Sequence, residues 1–419
     1  MIKTVLKYSF YTLSGIILFA LLICFVVWGI TPVYKFPPNL PFSGNKFYNP
    51  YKDYDNTHYV RANFHGHSRL GGGLTNGRAN SEEDVFKAYR DLNYGFATVS
   101  NYHHITGRPP YYDFPYVPAQ EYGVNIFKTH LLLIGTKRKE YFDQPLWQGA
   151  NTIQYRINRV KPYNDIVTLA HPAFLNGIEV EYMAKLTGYD LMEVVNTFAH
   201  SVSHWDTALS SGRPAFLLAS DDTHNVFNNT DIGRNITMIP LNPKTEADKL
   251  YDTLKSGAAY GITVPHVVAV LNRSEKVKVL NTHPQLLSMQ VNGNTLNIKL
   301  NRLVDKIIFS SDNGKVMAEY DNVSESSYNI TDNDSYTRAT VYFDNGSIAY
   351  FNPVIRTNDG LKPNMPHVSV NYPVTIVKWI FTTAVLLAIV FLAVKIYLKR
   401  KNSKDNNLTS IISPPQQKI

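Results

Sequence analysis

Two uncharged apolar runs, one near each end, constrain this chain of 419 residues more than any other feature. Tyr8 to Ile30 is a charge-free stretch of 23 residues, long enough at about 1.5 Å rise per residue to cross a hydrocarbon core. No small-x-small cleavage pattern follows it, which favours an uncleaved anchor over the competing reading as a signal peptide. A second run, Val374 to Val394, is broken only by Lys378 near its start, where the side chain can snorkel. Lys3 and Lys7 precede the first run; Lys395, Lys399, Arg400, Lys401 and Lys404 follow the second. The positive-inside rule then puts both termini in the cytoplasm and residues 31 to 372 outside the cytoplasmic membrane. Neither run carries paired ionisable groups, which argues against a transporter.

The hydrophobic share, 44%, allows a sizeable core between the anchors. The single cysteine, Cys24, excludes an intrachain disulfide and a thiolate metal site. The net charge of +8 is modest and gathers at the two ends, so it reads as membrane topology and no nucleic-acid partner is expected.

Residues 32–56, rich in Pro, Tyr and Asn, read as an extracytoplasmic stalk or a wrapping segment. From 57 to 265, apolar β-runs alternate with helical patterns, the signature of a βα-repeat domain. Strands are expected at Tyr59–Phe64, Phe96–Ser100, Val117–Glu121, Leu131–Ile134, Ile166–Ala170, Leu191–Val195 and, last, Ala215–Ala219. Ser81-Glu82-Glu83-Asp84 reads as a capping box opening a helix to about Leu92; Gln148–Arg159 and Glu246–Lys255 also read as helices. Near residue 266 helical periodicity disappears, and turn signals at Asn292-Gly293, Asp312-Asn313-Gly314 and Asn345-Gly346 suggest a separate β-sandwich, immunoglobulin-like, over 266–370. The second anchor follows at 373–398, then a basic tail, 399–419, disordered beyond Asn402.

Chemistry gathers at the ends of the strand-like runs. His65 and His67, in His65-Gly66-His67-Ser68, point to one face of an extended segment because strand side chains alternate. Glu121 closes its run, His130 opens the next, His171 ends Leu169-Ala170-His171-Pro172, and Asp222 and His224 follow Leu217 to Ser220. Five imidazoles and two carboxylates at one end of parallel strands are costly to bury without a divalent metal. That donor set suits Zn, Mn or Fe and fits Ca poorly. Asp221 is the nearest rival of Asp222 as a ligand.

These residues, over about 58 to 262, resemble the polymerase and histidinol phosphatase (PHP) family of metal-dependent phosphoesterases. Its H-x-H-[ST] motif is similar to His65-Gly66-His67-Ser68, its strand-end glutamate to Glu121, and its H-x-L-x-x-G step to His130 through Gly135. Its A-H-P motif is similar to Ala170-His171-Pro172, and its final D-x-H to Asp222-Thr223-His224. The resemblance implies a distorted (β/α)7 TIM-like barrel holding two or three divalent ions on His65, His67, Glu121, His130, His171, Asp222 and His224. It implies hydrolysis of a phosphorylated substrate by a metal-activated water on the extracytoplasmic side of the bilayer. His65, His67, Glu121, His171, Asp222 and His224 would carry the catalysis, and Asn196 would face the site or cap a loop.

Two departures stand against the pattern. The Asp that often follows the first motif is missing from Arg69-Leu70-Gly71-Gly72-Gly73-Leu74. The second motif, usually T-D-H-N, reads Ser100-Asn101-Tyr102-His103-His104, leaving His103 or His104 as substitute ligands after a one-residue shift. A catalytically inactive barrel that binds or scaffolds envelope partners is therefore the rival expectation. Arg78, Arg108, Arg213 and Arg234 are candidate phosphate contacts, with Arg234 the best placed, ten residues past His224. His200 and His204 read as structural or surface residues, Gly71-Gly72-Gly73 as a flexible turn and no phosphate loop, and acyl chemistry lacks a nucleophile motif.

Overall fold

A computed structural model describes residues 2–70, 76–108 and 114–412. The glycine turn at 71–73 lies outside them. The chain is a mixed α/β protein with an apolar helix at each end and two compact units: Met1–Lys35 with Val370–Ile419, and Phe36–Ser369.

In the first unit, helices Ile2–Ile30 and Tyr372–Ile412 are long and apolar enough to cross a membrane. Their large side chains are turned outward, as an apolar solvent requires: Phe19 is 65% and Phe391 67% exposed. Lys378 donates to the Thr31 carbonyl and lies 4.8 Å from the Trp28 ring centroid. The tail expected to be disordered beyond Asn402 stays helical to Ile412, because elongating a formed helix needs no new nucleus.

The second unit holds the chemistry. One sheet has five strands, in the order Ala119–Tyr122, His130–Thr136, Asn164–Ala170, Leu191–Asn196 and Phe216–Ser220. Each of the first three runs antiparallel to its neighbour and the last three are parallel, so the expected all-parallel order fails at one strand, His130–Thr136. The other sheet has eleven strands. Within it Val60–Asn63 pairs parallel with Tyr94–Ala97 and antiparallel with Asn235–Ile239, which pairs with Tyr260–Thr263. Among the described residues, continuous ladders do not close the two sheets on each other. Single parallel bridges, Gly66 to Thr223 and Tyr102 to Glu121, link them just beyond the strand ends.

Alternation sends strand side chains into two cores. Ala62, Phe64, Leu131, Leu169, Val195 and Leu217 meet between the sheets. Tyr59, Ile236 and Ile262 face the opposite way, onto Tyr89 of helix Glu82–Asp91 and Phe309 and Val341 of the C-terminal strands. Buried on both faces, His130–Thr136 and Phe216–Ser220 read as near-continuous apolar runs.

No break in the sheet occurs at residue 265. Tyr260–Thr263 pairs along its length with Ile348–Phe351, which joins the expected sandwich strands to the sheet that carries Val60–Asn63. Helices His266–Ala269 and Arg273–Asn281 occupy the stretch where helical periodicity was expected to vanish. The Asn292-Gly293 and Asn345-Gly346 turns are where the pattern puts them, with both glycines at positive φ. Residues 36–56 form a wrap and no free stalk: Lys46–Tyr48 pairs with Val354–Thr357, and Asn49 Nδ2 donates to the Met289 carbonyl at 2.7 Å.

Candidate metal centre

The site lies where the strand ends meet. His65 and His67 follow Val60–Asn63, His171 follows Asn164–Ala170, and Asp222 follows Phe216–Ser220. Glu121 lies one residue from the end of its strand. His130 is the first residue of a strand running the other way, and it pairs with Ala170, so it reaches the same rim. His171 and Asp222 take positive φ, 29° and 52°, conformations that cost energy in residues with a Cβ and persist where surroundings enforce them. Backbone bonds supply that enforcement: Asp222 N donates to His65 O (3.0 Å) and His67 N to Thr223 O (2.7 Å).

Two groups of ligand-type atoms share Glu121. His65 Nε2 and His67 Nε2 lie 3.3 and 3.2 Å from Glu121 Oε2, and 3.3 and 3.1 Å from Asp222 Oδ1. His130 Nδ1 and His171 Nε2 lie 2.5 and 3.2 Å from the other oxygen, Oε1. Each group converges closely enough to hold one metal ion, and all six side chains are buried. His65 Nε2 and Glu121 Oε2 have no hydrogen-bond partner, as do His130 Nε2 and His171 Nδ1. Buried polar atoms rarely go unpaired, so the donor set fits divalent cations.

Neighbouring groups orient these ligands. Glu193, completely buried, takes His65 Nδ1 at 2.8 Å and the His171 amide at 3.0 Å. Asn76 Oδ1 takes His67 Nδ1 at 3.2 Å, and Asn196 Nδ2 donates to Glu193 (3.1 Å) and faces Asp222 (3.5 Å). Asn196 thus lies beside these groups and also caps its loop, its Oδ1 accepting from the Phe198 amide at 2.9 Å. Sequence reasoning passed over Glu193, though a carboxylate inside the buried run Leu191–Asn196 was a readable signal. A carboxylate behind a ligating imidazole fixes its tautomer and raises its basicity.

The charges are mutually adjusted. Burial works against a charged His65, yet Asp222, Glu193 and Glu121 hold its pKa well above the ordinary value. Burial likewise opposes charge on His67, but Asp222 and Glu121 push it up to about 9. Burial disfavours the Glu121 anion, and His130 and His65 outweigh it, holding the carboxyl well below its usual range. Burial prevails at His130, which is lowered.

Other candidates sort out plainly. Asp221 faces away, accepting from Tyr89 Oη and from the amides of Gly233, Arg234 and Asn235 at 2.6–2.9 Å, so Asp222 is the ligand-type carboxylate. His224 lies at the mouth, its ring 4.4 Å from that of His67 and Nδ1 2.9 Å from the Asp222 carbonyl, outside both groups. His103 and His104 do not reach the site: His103 Nδ1 meets the Glu140 carbonyl, and His104 lies 3.2 Å from Lys139 Nζ. Asn101 ties down Ser68 instead, and Tyr102 stacks on His67 with ring centroids 4.9 Å apart. Arg213 is buried and donates to Pro37, Pro38 and Asn39 of the wrap, so it is no phosphate contact. Arg78 and Arg108 are exposed. Arg234 is half-buried, and its charge acts on His200. His204 is buried against the Ile178 carbonyl.

No protein-family model matches the chain, and neither a curated protein nor a solved structure is similar to it.

Proposed function

We propose that the chain is a membrane-anchored, metal-dependent phosphoesterase of the PHP kind, its catalytic unit extracytoplasmic. The observation that carries the reading is Glu121, whose two oxygens face two different histidine groups. A carboxylate so placed can bridge two ions, and paired ions clamp the attacking and leaving oxygens of an in-line displacement. His65, His67, Glu121 and Asp222 would hold one ion; Glu121, His130 and His171 the other. Bound there, the ions would supply charge for the phosphoryl oxygens and lower the pKa of the attacking water.

The chain's own groups do the rest. Glu193 and Asn76 fix the His65 and His67 rings. Asn196 orients Glu193 and Asp222. His224, at the mouth and partly open to solvent, is placed to pass a proton to the departing alcohol. The strand order from Val60–Asn63 through Phe216–Ser220, with the two bridges at the rim, supports a distorted seven-stranded barrel. Neutral Asn101 and the distant His103 and His104 favour two ions over three.

A non-catalytic binding module is the second reading, favoured by that altered second motif. Elemental analysis of the full chain in detergent, loaded with Mn or Zn, separates the two. Two ions per chain and phosphate release, abolished in His65→Ala and His171→Ala, are expected. Unchanged turnover in both variants, or no metal after loading, would sink the enzyme reading.

A further inference from the structure

Among the described residues of the unit Phe36–Ser369, every exposed Phe and Trp lies on the loops around the metal centre: Phe127 (37%), Trp147 (65%), Phe198 (45%) and Phe227 (60%). Ile126 (61%) and Leu175 (58%) join them. Ile126 and Phe127 belong to the loop between Glu121 and His130, and Leu175 to the loop after His171. Phe198 follows Asn196, and Phe227 comes three residues after His224.

Contacts join the loops that carry Phe127, Trp147, Leu175 and Phe198 into one apolar rim. Thr129 Oγ1 donates to the Gly177 carbonyl at 2.6 Å, joining the first two loops. Phe127 and Trp147 meet edge to face at 6.2 Å. On the other side, Phe174 stands edge-on to His171 at 5.6 Å and stacks on Phe198 at 5.0 Å; Phe198 in turn stands edge-on to His224 at 5.8 Å. The aromatic contacts therefore run from His171 in the metal centre to His224 at its mouth. Leu175 and Asn176 are held at positive φ, 50° and 53°, so the loop presents Leu175 at a backbone cost. Scattered exposed apolar residues need no explanation, but a set of them gathered at a candidate catalytic mouth does.

We propose that the substrate is an amphiphile: a phosphate ester of a long-chain lipid alcohol, with its phosphate at the metal centre and its chain along this rim. The inference rests on the phosphoesterase reading and adds the substrate class. The aliphatic members of the rim and the two bilayer-length helices on the same chain favour a lipid over a soluble aryl ester. In hydrolysis, water adds to phosphorus, the phosphorus–oxygen bond to the lipid alcohol breaks, and the alcohol oxygen takes up a proton, leaving alcohol and phosphate.

The test uses the full chain in nanodiscs, loaded with Mn, with empty nanodiscs as control. Calorimetry measures binding of ethyl-, hexyl- and phenylphosphonate, which have no ester bond to cleave. Turnover is followed with ethyl and hexyl phosphates and with the corresponding alkyl p-nitrophenyl diesters. Each methylene brought onto the rim should tighten binding about two- to fourfold, so hexylphosphonate should bind at least about tenfold tighter than ethylphosphonate. It should also bind tighter than phenylphosphonate. A Leu175→Ser/Phe198→Ser variant should shrink the hexyl-to-ethyl ratio to less than about threefold, since the chain loses its apolar bed. Equal binding of hexyl and ethyl, with esters still hydrolysed, overturns the lipid inference and leaves the phosphoesterase reading standing. Tighter binding of the phenyl probe, or an undiminished ratio in the variant, also overturns it. Hydrolysis of no ester in either series defeats the phosphoesterase reading and this inference together.

Discussion

Glu193 sits behind the histidines of both groups, and with His65 and His171 it converges closely enough to hold an ion itself. It holds His65 through Nδ1 and the His171 backbone through the amide, so both metal groups lean on one buried carboxylate. Glu193→Gln should lower metal affinity about 10- to 100-fold, read by competition with a chelator. Metal uptake should also release protons. His65, His67 and His171 have raised pKa values in the metal-free protein, so they hold protons that a cation must displace. Affinity should therefore fall as pH falls, with proton release measured by calorimetry in buffers of different ionisation enthalpy. A separate acid sensitivity belongs to His283, which burial lowers from 6.5 to about 4. Between those values the unfolded chain binds a proton that the folded one refuses. Its contribution is complete above the unfolded pKa and is lost as pH falls through the folded one, a loss of about 3 kcal/mol in all. Urea unfolding from pH 7 to 4 should show a flatter profile for His283→Gln than for the parent. At this scale most of the buried cluster that could hold a metal was legible, because imidazoles and carboxylates at strand ends need a reason to be there; His224 falls outside it and Glu193 was passed over. Asp221 and Asp222 could not be separated without the backbone, since a positive φ at Asp222 decides which carboxylate turns inward.

Elements with a local signature were the readable ones. Ser81 caps helix Glu82–Asp91 by accepting from the Asp84 amide, and the Asp84 side chain returns the bond to the Ser81 amide. Ser81→Ala should cost about 1 kcal/mol of unfolding free energy, measured by denaturant titration. The cost falls on an element that buries Val85, Phe86, Ala88 and Tyr89 against the second core. Less visible was helix Arg273–Asn281, which buries only Lys276 and Leu280 and so has no apolar stripe. Its one signal, Asn272 capping the Glu275 amide, lay in a stretch already read as β. Strand Asn235–Ile239 was missed because Asn and Thr interrupt its apolar run; Thr237 spends its hydroxyl on Ala219 of the neighbouring sheet. The direction of His130–Thr136 was beyond reach as well, since chain reversal there depends on tertiary pairing.

At the scale of the whole unit, the boundary drawn at residue 265 was the largest misreading. Composition changes there, and the sheet does not. Because the second core takes Tyr59 and Ile262 from one side of that boundary and Phe309 and Phe351 from the other, residues 57–265 expressed alone should fail to fold. Dispersed amide resonances and cooperative unfolding from that fragment would contradict this. The turn signals of the C-terminal strands were local and legible; their partner across some ninety residues was not.

The pairing of Lys46–Tyr48 with Val354–Thr357 carries a topological consequence. The polypeptide enters and leaves the unit Phe36–Ser369 along adjacent strands, so the two ends of that unit are neighbours. Chains with neighbouring ends tolerate circular permutation. New termini opened at the Asn292-Gly293 turn, with a short linker joining the old ones, should give a soluble, permuted unit that keeps the rim and both metal groups intact.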